Sequence, residues 1–244
     1  MPYFRCMKKL IIDWSHIPTY TTIMAIFAGS SILSIASVGR KLLKRELNPT
    51  GWALNFAALG FVLTLAGGHM ALTWPIVTFP FDNIVFGETS LGLGVLDLAL
   101  AGYFWTKKAS IGDANIPVET VSKELLPFRI VLSGLGLGLI AIALAAFRYK
   151  FFIAPKEEPI GGDFAVQHPI GENIGISTMF LCTGLAAILA VLFLTDFSSG
   201  KNRVRWYHIA NYTLLRLAGW FFLLTGAIVF YTHIGLISNT SPPH

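Results

Sequence analysis

Six long apolar stretches, separated by short polar segments, dominate the pattern of the chain. They cover residues 20–38, 51–73, 89–106, 128–147, 173–195 and 209–231, and we number them spans 1 to 6 in this order. Each approaches the roughly 20 residues that a helix needs to cross a hydrocarbon core about 30 Å thick. In lipid every backbone polar group must be paired internally, and no strand-like alternation competes with helices here. The pattern predicts an all-α fold, a polytopic membrane bundle of about six transmembrane helices.

The whole chain is predicted to form one transmembrane domain. Residues 1–19 are expected to be an interfacial segment anchored by Trp14, residues 20–231 the bundle, and residues 232–244 an outer tail. The N-terminal apolar run follows Asp13 and has no small-residue cleavage site, so it does not resemble a cleaved signal peptide.

The composition fits a lipid environment. Over 244 residues the chain is 54% hydrophobic and 13% charged, whereas about a quarter of the residues in a soluble domain are charged. The net charge of +5 comes from basic clusters between the spans, which is typical of membrane topology signals. We therefore expect a lipid bilayer, and no nucleic acid, as a partner. Cys6 and Cys182 form neither a metal-type pair nor a disulfide framework.

The positions of Lys and Arg predict the orientation, because cytoplasmic loops carry an excess of both. The clustered basic residues are Arg40, Lys41, Lys44, Arg45, Lys107, Lys108, Lys123, Arg129, Lys201, Arg203 and Arg205. The connection 74–88 and the tail after span 6 carry none. Both termini are thus predicted to be extracytoplasmic. This topology leaves Arg5, Lys8, Lys9, Arg148, Lys150 and Lys156 on the outer side, against the rule.

Spans 3 and 5 begin in a similar way. Phe86-Gly87-Glu88 precedes span 3 and Ile170-Gly171-Glu172 precedes span 5, each after a proline-containing stretch. Two interpretations remain open. Spans 2/3 and 4/5 form an internal repeat, or both are independent helix starts in which an acidic residue meets the positive end of the helix dipole.

Asp97 and Arg216 are charged residues inside predicted spans. Counted along the helix rise, they lie at depths that differ by less than an Arg side chain can reach. A charge in mid-membrane costs about 2.5–3.5 kcal/mol on insertion scales and usually finds a partner. We predict an intramembrane ion pair between Asp97 and Arg216, which acts as a structural staple or as part of a proton or substrate path.

A second polar group collects at the predicted outer face. Its members are His69, Asp82, Glu88, His168, Glu172 and His233. Imidazole and carboxylate ligands suit zinc, iron or copper, and the candidate metal set is His69, Glu88, His168 and Glu172. No ligand spacing fixes two of them on one helical face, so solvated histidines and dipole-paired glutamates are the simpler explanation and a metal site is the alternative. The histidines differ in predicted depth, so intrinsic haem is not expected.

Two spans carry small residues at a spacing that permits close helix approach. Gly134 and Gly138 have this spacing in span 4, and Ser90 and Gly94 have it in span 3. The two faces are predicted to pack on each other or on a partner subunit. The apolar connection 74–88 is likewise expected to lie under a neighbouring subunit, with a roof over a quinone pocket as the alternative.

The stretch Gly68-His69-Met70-Ala71-Leu72-Thr73-Trp74-Pro75, followed by Asp82-Asn83-Ile84-Val85-Phe86-Gly87-Glu88, carries a resemblance. It is similar to an uncharacterised prokaryotic family of multi-pass membrane proteins, the domain of unknown function 981. His168-Pro169-Ile170-Gly171-Glu172 shares it more loosely. The resemblance implies a prokaryotic plasma-membrane protein and supplies no chemistry.

No nucleotide loop, nucleophile triad or redox Cys pair marks a conventional enzyme. The leading hypothesis is a small integral subunit of a larger membrane assembly, in a respiratory or another extracytoplasmic redox complex with electron transport, or a homo-oligomer. The alternatives are a self-contained metalloprotein with an outer-face His/Glu site, and a carrier or channel that uses Asp97 and Arg216.

Overall fold

The chain folds into a bundle of long helices. The structure is a computed structural model that describes residues 10–14, 20–108, 117–168, 170–201 and 203–241. The long helices are α1 (Thr21–Lys44), α2 (Pro49–Thr73), α3 (Thr89–Thr106), α4 (Arg129–Tyr149), α5 (Gly171–Ser198) and α6 (Trp206–Thr240). The described residues hold six helical segments long and apolar enough to cross a membrane. The predicted all-α membrane bundle is confirmed.

Short helical pieces extend three of these segments. A π-helical turn, Asn83–Glu88, leads into α3, and helix Val118–Leu125 with a 3₁₀ turn, Leu126–Phe128, leads into α4. Helix Gly161–Gln167 precedes α5. The connection that was predicted as residues 74–88 is therefore helical over its second part.

The last helix is longer than predicted. α6 continues to Thr240, so the expected outer tail from residue 232 is helical over most of its length. The added turns are held by neighbouring segments, because Ile12 N–H donates to Thr240 O at 2.9 Å and Asn239 Nδ2 donates to Glu157 O at 2.8 Å. These contacts offset the lower hydropathy that ended the predicted span.

The bundle consists of three antiparallel helix pairs, α1 with α6, α2 with α3, and α4 with α5. Each pair crosses at two facing glycines. The three crossings are Gly29 with Gly219, Gly60 with Gly94, and Gly136 with Gly184. A Cβ atom at any of these glycines would come within 3.0 Å of the partner helix. The paired backbones thus approach more closely than any larger residue allows.

The glycine crossings of α2/α3 and α4/α5 can be aligned with each other in a single register. When Gly94 is aligned with Gly184, Asn83 falls on Asn173, each eleven residues earlier. Asn83 bonds the backbone N–H and C=O of Ile76, and Asn173 bonds the N–H of Phe152 and the C=O of Ala146. The register differs from the predicted one, which aligned Gly87-Glu88 with Gly171-Glu172.

The small residues of span 4 do not pack where we predicted. No atom of a neighbouring helix lies near the Cβ positions of Gly134 and Gly138, and Gly136 makes the close contact with α5 instead. Ser90 and Gly94 are buried as expected, but Gly94 faces Thr64 of α2 and not α4. Because the lipid-facing side of a membrane helix is also apolar, spacing alone did not reveal which face meets a neighbour.

The two ends of the bundle differ in charge. We call the end where α1, α3 and α5 finish the basic end, because Lys41, Lys44, Lys107 and Lys201 lie there. We call the other the far end. The described part of the N-terminal segment and the end of α6 meet at the far end.

Candidate functional site

Two cavities lie along the bundle, one towards each end. The basic-end cavity has a volume of about 370 Å³ and the far-end cavity about 240 Å³. They share no lining residue. On α1 and α6 the crossing glycines Gly29 and Gly219 lie between them, because α1 lines the far-end cavity up to Ala25 and the basic-end cavity from Ile35.

The far-end cavity gathers acidic side chains from separate parts of the chain. Asp82 comes from the turn before α3, Glu158 from the connection before α5, Glu172 from the first turn of α5 and His233 from α6. Glu172 Oε2 accepts a hydrogen bond from Ala154 N–H at 2.8 Å. The π-helical turn and the added turns of α6 bring Asp82 and His233 to this place.

The carboxyl groups outside the helices have raised pKa values. Burial raises the pKa of Asp82 from its ordinary value of 3.8 to about 7. Burial also raises the pKa of Glu158, an effect that the Thr232 hydroxyl partly opposes. Removal from water disfavours the charged form of each group. Asp82, whose pKa is about 7, can therefore gain or lose a proton near neutral pH.

Aromatic rings form much of the remaining wall. They are Trp14, Phe79, Phe81, Phe86, Phe151, Phe152, Phe221 and Phe222. Several contact one another, as in the pair Phe81 and Phe151, whose ring centroids are 5.0 Å apart. Within the part of the chain that the structure describes, no Lys or Arg lines this cavity. The wall thus combines carboxylates with aromatic faces and carries no opposing positive charge.

The predicted metal site is not assembled. His69 Nδ1 is paired with Tyr20 OH at 2.8 Å, and the ring of His168 packs on Phe164. Glu88 is exposed at the start of α3, and only Glu172 reaches the cavity. Among the described residues, no three His, Cys, Asp or Glu side chains lie close enough to hold a metal ion. The four residues lie at the same end of the bundle, but their side chains do not converge on one point and therefore form no metal site.

The predicted ion pair is not formed either. Asp97 is fully buried, and its Oδ1 accepts a hydrogen bond from Ser31 Oγ of α1 at 2.8 Å, while Oδ2 has no partner. The guanidinium of Arg216 lies 5.8 Å from the ring centroid of Trp220. α1 contacts both α3 and α6, so a hydroxyl from α1 reaches Asp97 where we had expected Arg216.

The basic-end cavity is almost entirely apolar. Its few polar lining side chains are Arg40, Ser122, His208, Asn211 and Tyr212. Asn211 Nδ2 donates to Ala186 O at 2.6 Å, and Arg40 Nη1 donates to Tyr212 OH at 3.3 Å. Nothing in the sequence pattern indicated this cavity, because its walls are ordinary core residues of the six long helices and of helix Val118–Leu125.

The sequence placed Asp82, Glu172 and His233 at one face but missed Glu158. This residue lies between Pro155 and Pro159 in an irregular connection, where no periodicity marks a buried position. The two flanking prolines were the available signal, since they restrict the backbone and fix where the side chain emerges.

No curated protein and no solved structure matches the chain. A family model described as "Protein of unknown function (DUF981)" matches residues 17–235. The match covers all six long helices nearly completely, together with both cavities apart from parts of the N-terminal segment and the end of α6. The predicted family is confirmed, and the chain belongs to the DUF981 family of multi-pass membrane proteins.

Proposed function

We propose that the protein binds an organic cation with an apolar body, such as an aliphatic or aromatic amine, in the far-end cavity. The observation that carries the proposal is the composition of the cavity wall, which combines Asp82, Glu158 and Glu172 with aromatic rings. An inorganic metal ion is a poor fit, because the described acidic and histidine side chains do not converge within coordination distance.

Two forces favour such a ligand. A cation near an ionised carboxylate gains Coulomb energy that grows as water is excluded. A cation over an aromatic face gains about 0.5–2 kcal/mol more. The apolar body of the ligand would bury against the phenylalanine rings. The carboxylate of Asp82 has no hydrogen-bond or ion-pair partner among the described residues, so it is available to a ligand.

Binding should be coupled to proton release from Asp82. The pKa of Asp82 is about 7, so at pH 6 the group is mostly neutral and at pH 8 mostly ionised. A cation prefers the ionised form, so it displaces the proton as it binds. Affinity should therefore fall as the pH drops through about 7.

The test is isothermal titration calorimetry of the detergent-purified protein with benzyltrimethylammonium. We expect saturable binding at pH 8, and the Asp82→Asn variant should bind at least ~10-fold more weakly, because it loses the Coulomb attraction between the carboxylate and the ammonium. Glu88→Gln is the matched control, because Glu88 is an exposed acid at the same end and does not line the cavity. It should bind normally.

The uncharged isostere neopentylbenzene separates charge recognition from simple partition into an apolar space. Equal affinity for the two compounds, or equal loss of binding in Glu88→Gln and Asp82→Asn, would contradict the proposal. Loss of binding only in Asp82→Asn, with neopentylbenzene bound weakly, would support it.

A second candidate function is that of a subunit in a larger membrane assembly. It is favoured by α4, which exposes Gly134 and Gly138 on a surface where no other helix lies near their Cβ positions. Leu137, between them, is 62% exposed. A partner helix would find a flat face there, in a respiratory or other redox complex or in a homo-oligomer.

The assembly proposal is tested by native mass spectrometry after mild extraction. Partner subunits or a defined oligomer should be present in the wild-type protein and absent in Gly138→Leu, which adds bulk to this face. Leu54→Phe on α2 is the control, because Leu54 is an exposed apolar residue on another helix. A monomeric wild-type protein that still binds its ligand would exclude an obligatory partner.

We further propose that the bundle resides in a prokaryotic plasma membrane with the basic end in the cytoplasm. The clusters of Lys and Arg at that end support this orientation. The far-end cavity would then take its ligand from outside the cell.

A further inference from the structure

We propose that the basic-end cavity is a binding site for a neutral, carbonyl-bearing ring compound with an apolar tail, the chemistry of a membrane quinone. The cavity is separate from the acidic one and is lined by different residues. The inference therefore stands independently of cation binding at the far end.

Among the described residues, two buried polar atoms in the lining have no hydrogen-bond partner, although Asp196 Oδ2 lies 3.6 Å from one of them, His208 Nε2. Ser122 is 0% exposed and His208 is 5% exposed, and both line the cavity. Neither Ser122 Oγ nor His208 Nε2 has a hydrogen-bond partner. A buried polar group without a hydrogen-bond partner destabilises the protein, because it has lost its bonds to water. A ligand that satisfies both atoms would offset that loss.

Both atoms are hydrogen-bond donors. The backbone N–H of Arg205 donates to His208 Nδ1 at 3.2 Å, so Nδ1 acts as the acceptor. The proton of the neutral imidazole then lies on Nε2. The Ser122 hydroxyl also carries a proton to donate. A ligand that supplies acceptors, as carbonyl oxygens do, can therefore bond to both.

The charges around these donors favour a neutral ligand over an anionic one. Asp196 Oδ2 lies 3.6 Å from His208 Nε2 and is itself paired with Lys201 and Arg205. A carboxylate or phosphate placed at this nitrogen would therefore compete with a carboxylate that the protein already supplies. The one cationic residue among the described lining residues, Arg40, is hydrogen bonded to Tyr212. A fatty acid or phospholipid headgroup would therefore fit less well than a quinone ring.

The cavity size fits a ring and the start of a tail. Its volume of about 370 Å³ lies within the range of about 300–1,000 Å³ that is typical of small-molecule sites. Apolar side chains such as Leu96, Leu132 and Leu194 supply the surface for a ring and an isoprenoid or alkyl chain. This balance of apolar wall and few polar groups is typical of such sites.

The test measures binding of decylubiquinone to the detergent-purified full chain by isothermal titration calorimetry. We expect saturable binding, which Leu132→Trp should weaken at least tenfold by filling the cavity. Ile130→Trp is the matched control, since Ile130 lies on the same helix as Leu132, is exposed and does not line the cavity. It should leave binding unchanged.

Ser122→Ala tests the hydrogen bond without adding bulk. Loss of one neutral hydrogen bond should lower the affinity ~2- to 10-fold. An organic extract of the wild-type protein should also show the ultraviolet oxidised-minus-reduced spectrum of a quinone at a stoichiometric level, and the extract of Leu132→Trp should not.

Any of three binding results would overturn the proposal. The first is the absence of saturable decylubiquinone binding, and the second is unchanged affinity in Ser122→Ala. The third is equal binding by Leu132→Trp and Ile130→Trp when both elute as the wild-type protein in size-exclusion chromatography. An extract that holds only phospholipid or fatty acid would also overturn it, and would assign the cavity to a lipid.

Discussion

Asp97 is a carboxylate in the middle of the bundle that relies on a single hydroxyl. Ser31 Oγ donates to Oδ1, and Oδ2 has no partner. Thr64 Oγ1, on the neighbouring α2, is also buried without a partner. A buried charge with one hydrogen bond is costly, so the α1–α3 contact at this depth depends on Ser31.

We expect Ser31→Ala to lower the free energy of unfolding by about 1–3 kcal/mol, because it leaves the Asp97 carboxyl group without any partner. The loss should be smaller in the double variant Ser31→Ala/Asp97→Asn, since an uncharged amide costs less to bury. Thermal unfolding in detergent measures both. If the double variant is no more stable than Ser31→Ala, the destabilisation does not come from the buried, unpaired charge of Asp97.

Asp82 should make stability depend on pH. Its pKa is raised to about 7 in the folded protein, so between pH 4 and 7 the folded state binds the proton more tightly than the unfolded state. Stability should therefore be highest at low pH in this window and fall as the pH rises through about 7. Asp82→Asn should flatten this slope in melting curves at pH 5 and pH 8. A slope that persists in Asp82→Asn would assign the pH dependence to other groups.

The three glycine crossings hold each helix pair together at close range. Gly60→Ala, Gly136→Ala and Gly219→Ala each place a Cβ within 3.0 Å of the partner helix. We expect each to cost about 1–3 kcal/mol, as overpacking does. Gly134→Ala and Gly138→Ala should be neutral or stabilising by up to ~1 kcal/mol, because Ala favours the helix and the space there is open in the chain itself. Unfolding in a denaturing detergent series compares the two groups.

A loss of stability in Gly138→Ala, confined to the oligomeric form, would show that a partner covers this face. Equal losses of stability at the crossing glycines and at Gly134 and Gly138 would mean that close backbone contact at the crossings does not stabilise the helix pairs. The comparison uses the same substitution on the same helix, α4, for Gly136 and Gly138.

The number and position of the helices followed from the sequence, but the directions of their side chains did not. Lipid requires internal backbone pairing, so hydropathy alone identifies the spans. Core-facing and lipid-facing residues are both apolar, however, so the helical periodicity does not show the packed face. The sequence therefore predicted the depth of Asp97 in the bundle correctly, but not the residue that bonds to it. The same ambiguity led to Gly134 and Gly138 being chosen in place of Gly136.

The far-end cavity was partly visible from the sequence for a related reason. Polar residues are scarce in this chain, so those that collect at one end stand out, as Asp82, Glu172 and His233 did. These residues line one cavity because of the π-helical turn and the extension of α6. No local sequence pattern predicted either feature. Three-dimensional convergence of loop residues is set by packing, not by spacing.

At the scale of the whole molecule, the charge asymmetry of the two ends predicts one orientation in the membrane. Single cysteines at Asp163 and Ser199 test it in a background where Cys6 and Cys182 are replaced. Both sites are exposed, with Asp163 at the far end and Ser199 at the basic end. In intact cells a membrane-impermeant maleimide should label Asp163→Cys, while Ser199→Cys should react only after permeabilisation.

We expect this labelling pattern because short loops rich in Lys and Arg are retained in the cytoplasm. Arg148, Lys150 and Lys156 act against it at the far end. Replacing these three residues with Gln should leave the labelling unchanged if the clusters at the basic end dominate. Labelling of Ser199→Cys and not of Asp163→Cys in intact cells would reverse the orientation and open the acidic, aromatic cavity to the cytoplasm.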